Sequence, residues 1–295
     1  MTRRLRGSIP VTRWRRLALL VPAAFVALVA SAYLVALLTS RLDTAPIDRP
    51  PFFAARDGEH EPLVFAHQGG EALAPSNTMV AFTNATVLGA DVLDADLHLT
   101  ADGVPVLIHD TTVDRTSDGS GAVADLTLAE LRALDVGYRF TTDGGDTYPF
   151  RGRGVGIVTV EELFAQFPDG RFNIEIKRTA PEAATVFCDS IRRFGREDQV
   201  VVSSFGQDNM DAFRSACPEV ATAATEDEVR SFYILHRLGL TGLVGGLGDP
   251  PYQSLQVPEY DGDRLILSEG FVAAARALGL PVVPWTINDA ADLER

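Results

Sequence analysis

The sequence predicts an α/β protein, a (β/α)8 barrel of the TIM type that is preceded by one N-terminal transmembrane helix. From Pro62 onward, short apolar runs typical of strands alternate with longer runs typical of helices. Strict alternation of this kind predicts a mostly parallel sheet with helices on its outside. The region from Pro62 has about 235 residues, which is the size of a single such barrel. Ahead of it, residues 17–38 contain no charged side chain.

Eight runs have the composition of strands. They are Leu63–Ala66, Val92–Leu97, Val104–Ile108, Phe172–Ile176, Val200–Ser203, Val220–Ala224, Gly242–Val244 and Leu280–Trp285. The third run follows the second too closely for a parallel crossover, so it should form a hairpin on the barrel rim. Seven strands then remain for the barrel wall. The sequence stops at Arg295, within the helix expected after Trp285, so the last barrel strand is expected to be truncated.

Seven runs between the strands predict helices. They are Thr78–Leu88, Leu128–Leu134, Val160–Phe167, Pro181–Phe194, Asn209–Ala216, Glu226–Leu238 and Ser268–Leu278. Thr127, with Glu130 three residues later, has the pattern of a capping box. A glycine-rich stretch, residues 135–158, interrupts the alternation. Connections of that length are usually functional or mobile.

The N-terminal part predicts attachment to a membrane. Residues 1–16 form a basic cytoplasmic N-terminus with six arginines, and residues 17–38 have the length and apolarity of a transmembrane helix. A cleaved signal peptide is the alternative, because Ala30-Ser31-Ala32 has the pattern of a cleavage site. Both alternatives place the domain at 62–295 outside the cytoplasm, after a linker at 39–61. We therefore expect a single-pass protein of the cell membrane with an extracytoplasmic domain.

The charge of the chain argues against nucleic acid as a partner. The formal net charge is −14. Residues 1–42 hold seven arginines and no acidic residue, which leaves 19 of the 26 basic residues and all 40 acidic residues for the remainder, a net charge of −21. Nucleic-acid phosphates and anionic lipids both attract basic protein surfaces. The acidic remainder of this chain therefore suits neither.

Two cysteines, Cys188 and Cys217, lie in helix-like runs outside the motifs described below. Outside the cytoplasm they could form a disulfide bond. Two buried thiols on separate helices are an equal alternative. Their spacing is not that of a metal site.

Histidines and aspartates follow three strand-like runs, at the point where each run ends. His67, Asp94 and His109 occupy these positions, and the carboxyl ends of parallel strands carry the chemistry of barrels. Asp94 and Asp96 are two residues apart, so they point to the same face of a strand. Glu175 ends another strand. Three carboxylates would form an all-oxygen site for a divalent cation, Ca²⁺ or Mg²⁺.

Proton transfer and phosphate binding are assigned to three further side chains. His67 and His109 are expected to act as base and acid, because imidazole is the side chain best suited to proton transfer at physiological pH. Lys177 is the only lysine among 26 basic residues and lies two residues after Glu175, on the same strand face. A compact ammonium beside a carboxylate suits a phosphoryl oxygen. His98 alternates with the site face, so it should pack or form a hydrogen bond locally.

A series of short motifs runs from His67 to the end of the chain. They are His67-Gln68-Gly69-Gly70, Pro75-Ser76-Asn77-Thr78, Asp94-Ala95-Asp96, Thr100-Ala101-Asp102-Gly103, His109-Asp110, Arg115-Thr116, Glu130-Leu131, Glu175-Ile176-Lys177, Ser203-Ser204-Phe205 and Trp285-Thr286-Ile287-Asn288. In this order, the motifs resemble those of the glycerophosphodiester phosphodiesterase family.

The resemblance implies a (β/α)8 barrel, a divalent cation and hydrolysis of a phosphodiester. It assigns a role to each of eight residues. The metal ligands would be Asp94, Asp96 and Glu175, the acid/base pair His67 and His109, and the substrate-binding residues Gln68, Lys177 and Trp285. The expected substrate is a small or lipid-derived glycerophosphodiester, which yields glycerol phosphate and an alcohol.

Three departures from the family pattern bear on activity. Gln68 replaces an arginine that would bind phosphate, Asp94 replaces a longer glutamate, and Ser76 replaces the glutamate of P-E-N-T. A sphingomyelinase D-like or lysophospholipase D-like enzyme is one alternative, because it also lacks the arginine after the first histidine. A catalytically weak, membrane-tethered binding domain is another.

Overall fold

The computed structural model describes residues 11–41, 46–47, 49–54, 62–177, 182–246 and 249–295. The first ten residues of the predicted basic N-terminus and most of the predicted linker at 39–61 lie outside the described residues. Within these ranges most strands are followed by a helix, as the sequence predicts.

The helices and strands are numbered along the chain. The helices are α1 (Val11–Thr39), α2 (Met79–Val87), α3 (Leu128–Arg132), α4 (Val160–Gln166), α5 (Glu182–Phe194), α6 (Gln207–Ala216), α7 (Glu226–Arg237), α8 (Gly242–Gly246), α9 (Glu269–Ala277) and α10 (Ala290–Glu294). The strands are β1 (Phe65–Ala66), β2 (Val92–Leu99), β3 (Pro105–Leu107), β4 (Val158–Thr159), β5 (Phe172–Ile176), β6 (Val200–Ser203), β7 (Ala221–Thr222), β8 (Leu255–Pro258), β9 (Tyr260–Asp261), β10 (Arg264–Leu265) and β11 (Val282–Trp285).

Seven parallel strands form the wall of a barrel. They follow the order β1, β2, β5, β6 and β7, after which a parallel bridge between Ala223 and Ser254 leads to β8, and β8 pairs with β11. Within the described ranges, no pairing joins β11 to β1. The α/β class and the parallel sheet are therefore as predicted, and the wall is open where an eighth strand would lie.

One predicted strand is wrong and one wall strand was missed. Residues 242–244 belong to the short helix α8, and the seventh wall strand is β8 instead. Three of the five residues of α8 are glycines, which offer a strand little to pack. In β8 the buried Leu255 and Val257 alternate with half-buried neighbours, which is the pattern of a barrel strand.

The predicted rim hairpin is confirmed. β3 pairs antiparallel with β2, with Leu97 opposite Leu107, and β4 pairs antiparallel with β3. These strands carry a small second core, to which Val155 and Ile157 from the glycine-rich stretch contribute. The predicted capping box of Thr127 opens α3. The irregular stretch is thus anchored at its end against the hairpin.

Alternation along the strands separates an outer from an inner face. Leu93 and Ala95 of β2 pack with helix residues in the main core. The residues between and after them, Asp94 and Asp96, belong to the opposite face of the same strand. The polar side chains therefore lie inside the barrel, toward the carboxyl ends of its strands.

The amino-terminal end of the barrel is closed by a segment that the sequence indicates as linker. Pro51–Phe53 forms one turn of 3-10 helix, and Phe52 is only 1% exposed. Phe52 packs against Val92 and Val201 and near the ring of Phe65, at the first residues of the wall strands. Arg171 donates a hydrogen bond to the carbonyl of Ala54 and holds this turn in place.

Helix α1 contacts the same end of the barrel. The Tyr33 hydroxyl donates a hydrogen bond to the carbonyl of Leu238 at 2.9 Å, and Ser40 Oγ donates to the carbonyl of Gly239 at 3.4 Å. Among the described residues, no helix combines the length and the apolarity that crossing a membrane requires. This finding does not support the transmembrane helix predicted at residues 17–38.

Candidate active site

Two adjacent wall strands present the predicted acidic residues. Asp94 lies opposite Asn173 and Asp96 lies opposite Glu175 across the parallel pair of β2 and β5. Asp96 of β2 and Glu175 of β5 therefore lie in one layer at the carboxyl ends of these strands, and Asp94 of β2 lies one layer deeper. That these carboxylates form the site stays a prediction.

Lys177 joins the two outer carboxylates. Its Nζ lies 3.0 Å from Asp96 Oδ1 and 2.7 Å from Glu175 Oε2. Burial raises the pKa of Glu175, although Lys177 opposes the shift. Burial also works against the charge of Lys177, but the two carboxylates outweigh it and hold the ammonium pKa above its ordinary value. The three side chains form one nearly buried ionic cluster.

Asp94 is held in the deeper layer by amide side chains. Asn173 Nδ2 donates to Asp94 Oδ1 at 2.7 Å, and Gln256 Nε2 donates to Asn173 Oδ1 at 2.7 Å. Burial raises the pKa of Asp94 to about 8, and the neighbouring Asp96 contributes to the shift. A cation beside this carboxylate would favour its ionised form.

The three carboxylates fit a hard divalent cation by type and by placement, because they are oxygen donors on neighbouring strands and one face. Asp96 and Glu175 already converge on one cationic atom, the Nζ of Lys177. Over the part of the chain that the structure describes, one group of three residues places its potential metal-binding atoms within 4.8 Å of one another. It consists of Cys188, Cys217 and Glu219, and its two sulfurs are joined in a disulfide bond. Asp94, Asp96 and Glu175 are not gathered to that distance, and the ligand roles remain predictions.

His67 is oriented by a carboxylate four residues later. A short 3-10 turn follows β1 and carries His67, whose Nδ1 lies 3.0 Å from Glu71 Oε1. If Nδ1 carries the proton, the neutral ring keeps its lone pair on Nε2. No role was predicted for Glu71, although its spacing of four residues from His67 is typical of side chains that meet in a turn.

His109 has a carboxylate partner as well. Its Nδ1 lies 2.8 Å from Asp110 Oδ1, and Arg115 binds the same carboxylate through Nε at 2.6 Å and Nη2 at 3.1 Å. Hydrogen bonds from Arg115 hold the pKa of Asp110 below its usual range. The hydrogen bond to Asp110 is the main cause of the raised Arg115 pKa, and Glu71 and Asp96 contribute. Arg115 is thus a second cation of the site besides Lys177.

Asn77 links the loop after His67 to Asp96. Asn77 Nδ2 donates to Asp96 Oδ2 at 2.8 Å, and the Asp96 amide donates to Asn77 Oδ1 at 3.1 Å. The Asn77 amide donates to the carbonyl of Gln68 at 2.9 Å. The loop needs left-handed backbone at Gly69, where an added Cβ would lie 2.8 Å from the Cβ of Ala81. These contacts fix the loop against both Asp96 and α2.

The position of Gln68 differs from the one that its predicted role in substrate binding requires. The residue is 3% exposed, has a left-handed φ of 51° and leaves Oε1 without a hydrogen-bond partner. A buried acceptor without a partner costs about 1–3 kcal/mol. The Gln68 carbonyl, rather than its side chain, makes the hydrogen bond to Asn77 that holds the loop.

Trp285 contacts an aromatic ring and His98 makes a local hydrogen bond, while the substrate-binding role of Trp285 stays a prediction. Trp285 ends β11, and its ring meets that of Phe205 edge-on, with centroids 5.8 Å apart. His98 is buried, and its Nε2 lies 3.2 Å from the carbonyl of His109. Burial lowers the pKa of His98. His98 therefore holds the backbone at His109. This contact is the local hydrogen bond that the sequence predicts for His98.

Six residues of the site network were not assigned a role from the sequence. Asp110, Asn77 and Arg115 lie inside quoted motifs, so their positions were recognisable while their contacts were not. Gln256 lies on β8, the strand that was missed. The six residues are Glu71, Asn77, Asp110, Arg115, Asn173 and Gln256.

Comparison with known proteins gives a consistent result. A family model for the glycerophosphoryl diester phosphodiesterase family matches residues 67–295. Among curated proteins, a glycerophosphodiester phosphodiesterase from Caldanaerobacter subterraneus subsp. tengcongensis is 32% identical over 241 residues. The match covers 79% of this chain and 88% of that protein.

Solved structures give the same result for the fold. A glycerophosphodiester phosphodiesterase from Agrobacterium tumefaciens matches with a TM-score of 0.63 at 26% identity, over 79% of this chain and 90% of that one. A phosphodiesterase from Oleispira antarctica, solved in complex with the product sn-glycerol-3-phosphate, matches with a TM-score of 0.59 at 25% identity. That match covers 79% of this chain and 89% of the other.

Proposed function

Because the chain belongs to the glycerophosphoryl diester phosphodiesterase family and is therefore a phosphoric diester hydrolase, we propose that its barrel mouth hydrolyses glycerophosphodiesters by metal-dependent catalysis with two histidines. One observation carries the proposal. Two imidazoles, His67 and His109, are each oriented through Nδ1 by a carboxylate, beside the ionic cluster of Asp96, Glu175 and Lys177. The product bound to the Oleispira relative, sn-glycerol-3-phosphate, supports this substrate class.

Asp94, Asp96 and Glu175 would hold the divalent cation, Ca²⁺ or Mg²⁺, which would supply charge stabilisation at the phosphoryl oxygens when bound. Lys177 would add a fixed positive charge beside the same oxygens. Asn77 and Asn173 keep Asp96 and Asp94 in their rotamers through the hydrogen bonds described above. Arg115 would contribute a further cation at the rim.

The histidines would move the protons. With its Nδ1 toward a carboxylate, each ring offers Nε2 to the substrate. One ring accepts the proton of the attacking group, which is water or a neighbouring hydroxyl of the substrate. The other ring donates a proton to the oxygen of the leaving alcohol as its bond to phosphorus breaks. Glu71 and Asp110 stabilise whichever ring becomes positively charged.

Turnover with and without chelator tests the proposal. The whole chain is incubated with glycerophosphocholine, and the release of glycerol phosphate is measured after EDTA treatment and after return of Ca²⁺ or Mg²⁺. We expect activity to disappear with EDTA and to return with one of the two cations. His67→Ala and His109→Ala should each reduce turnover by about 10²–10⁴-fold, with an unchanged melting temperature.

The matched control is His236→Ala, a histidine on α7 that contacts Phe271 and not the site. It should keep full activity. Undiminished turnover in either catalytic variant would remove that histidine from the acid/base role. Activity that survives EDTA would rule out the cation, and no turnover on any glycerophosphodiester would favour a binding domain.

The location of the enzyme is a separate proposal, namely that the barrel works outside the cytoplasm. A disulfide bond between Cys188 and Cys217 supports it, because such bonds persist in oxidising compartments. The six arginines ahead of the uncharged run at 17–38 favour the same orientation. Attachment to the cell membrane rests on that run alone.

Protease treatment of intact cells tests the location. An extracytoplasmic barrel should be degraded or released without lysis, while a cytoplasmic marker protein stays intact. Fractionation then distinguishes an anchored protein, which sediments with membranes, from one whose N-terminal segment has been cleaved. Protection of the barrel until lysis would contradict an extracytoplasmic location.

A further inference from the structure

The backbone that carries Lys177 extends one residue beyond the strand β5. This strand ends at Ile176, and its pairing with β6 ends where Glu175 lies opposite Ser203. On the side of β2, the Lys177 amide still donates a hydrogen bond to the carbonyl of Leu97 at 3.1 Å. On the side of β6, the carbonyls of Ile176 and Lys177 lie beyond the last paired residue.

Two side chains that follow β6 bind these two carbonyls. Ser204 Oγ donates to the carbonyl of Ile176 at 2.8 Å, and Asn209 Nδ2 donates to the carbonyl of Lys177 at 3.0 Å. Ser204 belongs to the motif Ser203-Ser204-Phe205, and Asn209 lies in the first turn of α6. A buried carbonyl without a partner is costly, so these donors replace the backbone pairing that β6 no longer supplies.

Both donors are themselves held in place. Ser204 is only 5% exposed, and its Oγ accepts a hydrogen bond from the Gly206 amide at 3.3 Å. Gly206 is the N-cap of α6, and its carbonyl accepts from the Met210 amide at 3.2 Å. Asn209 is half-buried. Cys217 follows the other end of α6, so the disulfide bond is not part of this support.

The ammonium of Lys177 depends on the position of this backbone. Its Nζ lies 3.0 Å from Asp96 Oδ1 on β2 and 2.7 Å from Glu175 Oε2 on β5, and the side chain is 14% exposed. A lysine side chain has four flexible bonds, so it reaches both carboxylates only from a fixed starting point. A displacement of 1 Å at a reacting group can lower turnover by about 10²-fold.

We propose that Ser204 and Asn209 are positioning residues for Lys177. They act through the two backbone carbonyls and do not touch the substrate. The turn between β6 and α6 therefore belongs to the active site, although its side chains carry no proton and no charge in the reaction. The effect on turnover rests on the proposed function, whereas the position of Lys177 is observable without it.

Nuclear magnetic resonance measures the position of Lys177 directly. It is the only lysine of the chain, so incorporation of ¹³C,¹⁵N-lysine gives one side-chain Cε and one Nζ signal. In Ser204→Ala and in Asn209→Leu, we expect both signals to move toward those of a solvent-exposed lysine, because the ammonium leaves Asp96 and Glu175 part of the time. Ser204→Thr keeps the hydroxyl and should keep the wild-type signals.

The matched control is Ser190→Ala. Ser190 is a buried serine of α5 whose Oγ also donates to a backbone carbonyl, that of Val186 at 3.2 Å. Its loss removes the same kind of hydrogen bond without contact to Lys177. The Lys177 signals and the turnover of this variant should equal those of wild type.

Turnover of glycerophosphocholine then tests what the position contributes. Ser204→Ala and Asn209→Leu should each lower kcat by roughly five- to tenfold, the factor that one hydrogen bond contributes, with a smaller change in KM. In a Lys177→Met background neither substitution should lower kcat by more than about twofold, because residues that act only through Lys177 have nothing left to position.

Two results would overturn the inference. One is an unchanged Lys177 signal in both variants, and the other is the same loss of kcat with and without Lys177, which indicates a general structural role. If Lys177→Met has no turnover to compare, the labelled lysine alone decides, and if Ser204→Ala does not fold, Asn209→Leu decides. Shifted signals together with no turnover of any glycerophosphodiester by wild type would disprove the proposed function and keep the positioning of Lys177.

Discussion

At the scale of single residues, the site is organised around two histidine–carboxylate pairs. Glu71 and Asp110 each contact Nδ1 of a histidine, and Arg115 holds only the second carboxylate. A carboxylate on Nδ1 fixes the ring tautomer and stabilises the positive ring that proton transfer creates. The two carboxylates are therefore expected to position the histidines rather than to touch the substrate.

Asp110→Asn should lower kcat while leaving KM nearly unchanged. The amide can present its nitrogen to Nδ1 and favour the wrong tautomer, an effect that reaches about 10⁴-fold where the aspartate is fully buried. Asp110 is partly exposed, so we expect about 10²-fold. Asp114→Asn is the control, because Asp114 accepts a hydrogen bond from Gly121 and contacts neither histidine. Equal losses in both variants would indicate a structural role for Asp110.

Gln68→Arg should improve catalytic efficiency on simple glycerophosphodiesters. An arginine would supply the charged, two-pronged hydrogen bond to phosphate that glutamine lacks. A charged hydrogen bond contributes about 1.5–3 kcal/mol, so kcat/KM should rise by roughly ten- to a hundredfold. The buried position of Gln68 requires the longer side chain to turn out into the mouth, which a crystal structure of the variant would show.

The companion variant is Gln68→Met, which removes the buried Oε1 and adds no charge. It should raise the free energy of unfolding by about 1 kcal/mol in urea titrations, because an unpaired buried acceptor disappears. If Gln68→Met lowers activity and Gln68→Arg abolishes it, then Gln68 makes a substrate contact of its own. The natural substrate would then differ from the family's usual one.

The sequence predicts which charged side chains share a strand face, but not the contacts they make. Asp94 and Asp96 were placed on one face, and Glu175 and Lys177 on another shared face, because residues two apart on a strand point the same way. The pairing of Glu71 with His67 depends on a tight turn with left-handed backbone at Gln68 and Gly70. Spacing alone does not reveal such a turn, and no strand signal led to Gln256.

At the scale of helices and strands, α5 and α6 are joined covalently. Cys188 in α5 and Cys217 directly after α6 form a disulfide bond with Cα atoms 5.7 Å apart. Arg192 of α5 strengthens the same contact by donating to Glu219 and to the carbonyl of Ala216. The sequence left open a disulfide bond or two separate buried thiols, and the structure shows the disulfide bond.

Replacing both cysteines by alanine should lower the free energy of unfolding by about 3–4 kcal/mol, because the bond closes a loop of 29 residues in the unfolded chain. Urea unfolding of the variant, beside wild type with and without reductant, measures the effect. Reduced wild type should resemble the variant. Activity in the folded range should stay unchanged, since α5 and α6 cover the outside of the barrel. Equal stability in all samples would contradict the prediction.

The predicted elements agree with the structure where the strand lies between two helices and is buried on both faces. β5 and β6 have the predicted bounds for this reason. The prediction is wrong at residues 242–244, where an apolar pair among glycines has the composition of a short strand but forms α8. It missed β8 because Gln256 and Pro258 interrupt its apolar run. Gln256 faces the barrel interior, where a hydrogen bond to Asn173 is needed instead of an apolar contact.

At the scale of the whole molecule, the barrel depends on chain that precedes its first strand. Phe52 seals the amino-terminal end by packing on residues of β1, β2, β6 and β7. Ile47 is also buried, and its amide donates to the carbonyl of Leu278 at 2.9 Å. The prolines of this stretch, and its lack of the regular apolar spacing of a helix or a strand, predict a linker. Only the tertiary fold shows that its two large apolar side chains complete the core.

Phe52→Ala should therefore destabilise the barrel without affecting the mouth. Loss of a fully buried phenylalanine costs about 3–5 kcal/mol, since the cavity cannot fill completely. The neighbouring ring of Phe65 and the hydrogen bond from Arg171 to Ala54 would also lose their support. Phe53→Ala is the matched control. Its ring lies 4.8 Å from that of Phe52 but is only partly buried, so its removal should cost much less.

Thermal and urea unfolding measure both variants, and KM for glycerophosphocholine should equal that of wild type in each, because Phe52 and the catalytic cluster lie at opposite ends of the barrel. A Phe52→Ala protein as stable as Phe53→Ala would mean that the Phe52 side chain does not stabilise the amino-terminal end of the barrel.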